Sequence, residues 1–311
     1  MKVRLIIVRP AMLLLTFMAS TFSALASEGP WTAREGTHNI YAGVFVEQFE
    51  CFESEGKNDP KCGSGLPVSS PVRQVGLKVF YRYGIDSQWD VAIAAPFSRS
   101  SMAGDPEGEA QEPTTGVGLI ETRVRRRLGS TGGVDWSTSL GLRSGALHKD
   151  TRDRLTNLGE GTTDLFGTLS MGSTGLLGPR FYTTSIDLTY YYRFPLQVDD
   201  TLGKIPGDEA RASAVFDYAV SSRFGLGVGV DGFHRLSGAD LNFAEIASYG
   251  DDRWAALQAS QVKAGARFML YPHGSMPYLQ VSAQRVVWAK NNPTDATFIE
   301  VAMGTDLGGR K

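Results

Sequence analysis

Four histidines are the first residues to weigh for chemistry. His234 with Ser237 is the one base and hydroxyl close enough in sequence to suggest a nucleophilic pair, as a lipid hydrolase would need. In a strand, residues three apart project to opposite faces, so these two meet only if the strand ends between them, which Gly238 leaves open. His38, His148 and His273 have no carboxylate or cysteine at metal-ligand spacing. Gly225, Gly227 and Gly229 alternate and open no helix, so they read as curvature or lumen space and not as a phosphate loop. The acidic run Asp105 to Glu112 and the pair Asp251-Asp252 read as solvated loops; a divalent cation bridging them to lipopolysaccharide is the competing reading. The expectation is a non-catalytic chain with no metal and no cofactor.

Composition narrows the class. The 311 residues carry 31 Lys+Arg against 33 Asp+Glu, so there is no global field for nucleic acid, and 42% hydrophobic content excludes a disordered chain. The basic Lys2, Arg4 and Arg9, the short apolar stretch Ala11 to Ala19 and the small-residue site Ala24-Leu25-Ala26 form a secretory signal peptide over 1–26. Residues 27–311 are then one domain in an oxidising compartment. Two cysteines cannot make a disulfide scaffold, but Cys51 and Cys62 flank a hydrophilic loop whose ends a disulfide would pin.

The elements that must position these residues are strands. Val75, Leu77, Val79, Tyr81 and Tyr83 alternate with Gln74, Gly76, Lys78, Arg82 and Gly84, and only Phe80 breaks the pattern. The same period recurs over 37–50, 72–84, 88–99, 115–128, 134–147, 161–173, 180–194, 209–220, 223–235, 254–270, 277–289 and 296–307. Long polar connections alternate with short ones, apart from a brief final link near Asn291-Asn292-Pro293. That rhythm predicts an all-β fold: an up-and-down antiparallel transmembrane barrel of twelve strands, in the bacterial outer membrane, with lipid and lipopolysaccharide as neighbours. A soluble sandwich would also alternate. Aromatics decide between them, because on the apolar face they gather at strand ends: Tyr81, Tyr83, Trp89, Trp136, Phe181, Tyr218, Phe224, Phe268 and Tyr278 beside short turns, and Phe97, Tyr192, Phe194, Trp254 and Trp288 beside long loops.

The opposite face lines the lumen: Lys78, Arg82, Asp90, Glu121, Arg123, Arg125, Arg127, Asp135, Arg143, Asp164, Asp187, Arg193, Arg211, Asp217, Arg223, Asp231, Lys263 and Arg267. Arg126 falls on the lipid side, near enough to a turn to snorkel. The interior admits two readings. Arg123, Arg125 and Arg127 form a basic constriction for anions or polar solutes, or they pair with Asp90, Glu121 and Asp135 and fill a narrow lumen.

The run Val79 to Val91 resembles the strand-turn-strand pattern of the MetA-pathway phenol-degradation family of outer-membrane proteins. Gly161-Thr162-Thr163-Asp164, Gly116-Val117-Gly118 with Arg125 to Leu128, and Ser222 to Val228 resemble other segments of that family. Leu119-Ile120 departs from its pattern, as does a C-terminus without an aromatic residue. The resemblance implies passage of small, often aromatic or hydrophobic compounds. The alternative reading is a structural or adhesin-like barrel acting through its extracellular loops.

Overall fold

The structure is a computed structural model that describes residues 29–53, 62, 65–102, 113–144, 162–195, 197–199, 203–238, 258–271 and 277–308. The signal peptide, His148, His273, Trp254, the acidic run 105–112 and the pair 251–252 lie outside the described residues. The strands are β1 Thr37–Glu53, β2 Gly65–Gly84, β3 Trp89–Met102, β4 Thr114–Val117, β5 Ile120–Thr131, β6 Val134–Ser144, β7 Thr163–Leu177, β8 Arg180–Arg193, β9 Gln197–Asp199, β10 Gly203–Ile205, β11 Glu209–Ala219, β12 Phe224–Arg235, β13 Ser260–Leu270, β14 Tyr278–Lys290 and β15 Thr297–Gly308.

Each wall strand pairs antiparallel with its neighbours, β15 returns to β1, and the β2–β3 pairing completes the ring. β4 and β5 are one stave broken at Gly118-Leu119, because the register against β3 slips by one residue between Phe97↔Val117 and Ala94↔Glu121. Counted that way the wall has twelve strands, and β9 and β10 form a separate hairpin in the connection after β8. The twelve intervals read from alternation fall on these staves with end shifts of a few residues. Closure leaves no unpaired edge, which a chain crossing hydrocarbon requires.

Burial runs opposite to that of a soluble protein. Leu140, Val228, Val44 and Val301 are exposed on the outer wall, while Arg125, Arg143, Arg193, Asp90, Asp164 and Glu300 are buried on the inner one. Water would penalise both halves of that arrangement; a bilayer outside and a polar interior satisfy both. Aromatic residues ring the wall near the short turns, where His38 Nδ1 lies 2.8 Å from Tyr81 Oη.

Two aromatic placements differ from the pattern reading, Tyr278 and Phe181, while Phe80, the residue that breaks the pattern, keeps the inward parity of Lys78 and Arg82. Phe80 faces inward beneath Arg123, whose guanidinium lies 5.7 Å from its ring. Tyr278 also turns inward: an extra residue at Val287, between the pairs Val262↔Trp288 and Lys263↔Val286, reverses the parity of everything before it on β14. Phe181 shares the parity of buried Ser185 and projects from the inner row beyond the turn at Gly178, 63% exposed.

At the long-loop end, the short β14–β15 connection folds back on the rim. Asn291 Nδ2 donates to the Gln258 carbonyl at 2.8 Å, and Asp295 accepts from the Cys51 amide at 2.9 Å. Cys51 and Cys62 are joined in the expected disulfide.

Candidate functional site

The lumen is the candidate site, and it has two charged layers. The layer nearer the long loops arises where β6, β7, β8 and β11 bring strand-end residues of inward parity to one height. Arg143 Nε donates to Asp164 Oδ2 at 2.7 Å, and Arg193 Nη2 donates to Glu209 Oε2 at 3.1 Å. Arg211 reaches Glu209 at 3.3 Å and Arg143 reaches it at 3.8 Å, so one carboxylate serves three guanidiniums. The Arg143 guanidinium also lies 3.9 Å from the centre of the Tyr191 ring, which packs against Phe166. All of these side chains are almost fully buried. The network fills this half of the barrel near β6–β11.

On the facing wall, Lys263 pairs with Glu47 at 3.2 Å and Lys78 with Glu300 at 3.8 Å. Arg267 holds Asp217 in a two-bond fork, with Nε to Oδ1 at 2.7 Å, although the two residues stand on β13 and β11 with β12 between them. Gly227 is the register partner of both, and a Cβ there would collide with both side chains. Its role is close approach inside the barrel.

The second layer, near the short turns, contains a segment of the chain itself. Residues 29–35, which precede β1, enter the lumen. Arg125 Nη1 donates to the carbonyls of Gly29 at 2.9 Å and Trp31 at 3.0 Å. Arg82 Nη1 donates to the same Trp31 carbonyl at 3.3 Å. The Trp31 indole Nε1 donates to Asp135 at 3.0 Å, and the Ala33 amide donates to Asp90 at 3.0 Å. The strap reaches the opposite wall: a Cβ added to Gly172 on β7 would lie 2.9 Å from Pro30 Cδ and 3.0 Å from Trp31 Cη2. It therefore crosses from the β2–β5 side to the β7–β8 side. It leaves along Gly84, whose carbonyl accepts from the Gly36 amide at 2.9 Å.

This placement changes the meaning of the arginine ladder. Arg125 holds the strap, Arg127 pairs with Asp135 at 2.8 Å and Arg123 lies over the Phe80 ring, so all three are engaged with the chain's own groups. Glu121, Arg123, Asp187 and Asp231 also lie on the inner face by strand parity. Arg223 does not line the lumen: it sits in the exposed turn before β12, where its amide donates to Ser221 Oγ at 3.1 Å. Glu47, Glu209, Arg235 and Glu300 were absent from the sequence-derived set, although the same alternation that assigned Arg211 also reaches Glu209. The strap carried no such signal, since residues 29–35 have no period-two pattern and the side chains that hydrogen-bond them on the wall lie 51 to 104 positions away.

His234 and Ser237 do not pair. His234 lies on the outer wall at the end of β12, and its Nδ1 is 2.7 Å from Ser260 Oγ on β13; Ser237 Oγ instead accepts the Asp208 amide at 3.0 Å. Among the described residues no group of His, Cys, Asp and Glu could hold a metal ion.

No protein-family model matches the sequence, and no curated protein sequence matches it. Solved structures do. The chain is similar to the crystal structure of the COG4313 outer membrane channel from Pseudomonas putida F1, with a TM-score of 0.60 and 15% identity over 89% of this chain and 98% of that one. It is also similar to the NanC porin, with a TM-score of 0.50 and 8% identity over 87% of this chain and all of the other. At such identities the likeness is one of fold: this chain is a twelve-stranded outer-membrane β-barrel.

Proposed function

We propose that the barrel carries small aromatic or otherwise hydrophobic solutes across the outer membrane, with no chemistry of its own, along a lumen that the strap at residues 29–35 obstructs near the short-turn end. The observation that supports this most is the seat of Trp31. An aromatic ring already occupies the lumen, with its one N–H on Asp135 and arginines at its backbone. A phenol-sized solute offers the same combination of a flat apolar face and a single donor. Phe80 under Arg123 and Tyr191 under Arg143 show that the inner wall stacks rings on guanidinium groups elsewhere.

The test is current blockade. The Trp31→Ala protein in planar bilayers should show brief interruptions when phenol is added, more frequent than in the unaltered protein, and few with a polar solute of similar size. If neither protein distinguishes phenol from the polar solute, the reading fails.

A further inference from the structure

Besides the seat of the strap, the barrel has a recess inside the short-turn mouth, the periplasmic end of an outer-membrane barrel. It spans β8, β11, β12 and β13 and encloses about 500 Å³, a volume typical of small-molecule sites. A Cβ added to Gly29 of the strap would lie 3.1 Å from Ser185 Cβ, and the next inward residue of β8 toward the mouth is Thr183, which lines the recess. A solute that clears the strap therefore meets the recess next.

Small residues make its floor. Ala219 and Gly225 are inward-facing register partners, so β11 and β12 present almost no side chain there. Met269, the register partner of Gly225 on β13, and Tyr271 bend over that gap: a Cβ on Gly225 would meet Met269 Cε at 3.0 Å and Tyr271 Cε2 at 3.4 Å. Tyr271 is held on three sides. Its amide donates to the Arg223 carbonyl at 2.7 Å, its hydroxyl donates to Met269 Sδ at 3.2 Å, and its ring centre lies 6.1 Å from that of Tyr278. Phe181 lines the β8 side, across the floor from β13. Arg180 stands at the rim in water, where its charge is screened. Further in is Asp217, with its side chain 19% exposed. The Arg267 fork fixes its orientation, using one lone pair on each oxygen and leaving the others for a further donor. Two rings and a thioether around a small floor, with one oriented acceptor behind them, suit a flat apolar ring that carries a single donor. A bare arene would cover Asp217 without pairing it, and a carboxylated ring would set acceptors against an acceptor.

We infer that this recess is an exit subsite for a single aromatic ring bearing one O–H or N–H group, in which Asp217 selects the donor while Phe181 and Tyr271 hold the ring. The inference rests on the reading of the barrel as a carrier of aromatic solutes, and adds to it a place and a functional group. Full-length protein in lipid nanodiscs, titrated with para-fluorophenol, para-fluoroaniline, para-fluorotoluene or para-fluorobenzoate and followed by fluorine NMR line broadening, reads binding without passage; empty nanodiscs set the partition background. The phenol and the aniline should broaden well above background, and the toluene and the benzoate should stay near it. Phe181→Ala with Tyr271→Ala removes two exposed rings at the mouth and should weaken binding of both donors by about tenfold. Asp217→Asn should weaken binding of the phenol and leave the toluene unchanged. Equal broadening by all four compounds, none above background, or binding unaltered by the loss of the two rings would each overturn the subsite. Such a result beside phenol blockade of conductance would leave the carrier reading standing without the subsite; donor binding without blockade would uphold the subsite and remove the carrier reading.

Discussion

The Arg126 guanidinium lies 5.4 Å from the centre of the Trp89 ring, and the two residues face one another across β5 and β3 on the lipid side of the wall. The charge sits over an indole beside the turn at 85–88, where headgroups can also reach it. Arg126→Ala should therefore cost only about 0.5–1 kcal/mol. An arginine placed toward the middle of β6, as in Leu140→Arg, should cost about 2–4 kcal/mol. Equilibrium unfolding from lipid vesicles in guanidinium measures both, and equal penalties would contradict the assigned membrane boundaries.

Glu209 balances Arg143, Arg193 and Arg211 in a buried site. Removing its charge leaves guanidinium groups that Asp164 alone cannot neutralise, and breaking a buried network of this kind costs about 3–5 kcal/mol. Glu209→Gln should lower the unfolding free energy by that amount, read from a lower denaturant midpoint at an unchanged m value. Asp306→Asn at the exposed end of β15 is the comparison and should stay within about 0.5 kcal/mol.

Asp217 and Arg267 join across Gly227. Gly227→Ala puts a methyl group in their path and should destabilise the barrel by about 1–3 kcal/mol, the range for overpacking a filled interior. Gly129→Ala makes a useful contrast. It has open space around its would-be Cβ but a φ of 122°, so its cost comes from backbone strain alone. If Gly227→Ala unfolds no more readily than the wild-type chain, the crossing pair does not hold β11 and β13 at their observed separation.

The Cys51–Cys62 disulfide closes a loop with a sequence separation of 11 at the end of β1. A loop of that length is worth about 3 kcal/mol in the chain-entropy picture. The Cys51→Ser/Cys62→Ser protein should still form a heat-resistant barrel but unfold at lower denaturant. Reductant should move the wild-type midpoint toward the variant's and leave the variant unchanged.

Alternation made the wall legible because lipid contact and a polar interior impose opposite chemistry on successive residues. It failed at Tyr278, where the added residue at Val287 reversed parity in a way the run of residue types did not mark. The break at Gly118-Leu119 was hidden for the same reason, since Ile120, Thr122 and Val124 still read as one outward row. The charged interior was legible as a set of residues but not as a set of partners. Whether Arg125 meets a carboxylate or the carbonyl of Trp31 depends on contacts 94 positions apart that no local pattern encodes.

The obstruction of the lumen by the strap is tested most directly by single-channel conductance of the wild-type barrel beside a variant lacking residues 29–34, both shown to be folded by heat-modifiable migration. The expected result is a small conductance in the wild-type protein and a severalfold larger one in the variant, with Arg125→Ala between them. Equal conductance in all three proteins would mean that the strap does not control the passage and that the ion path lies elsewhere in the barrel.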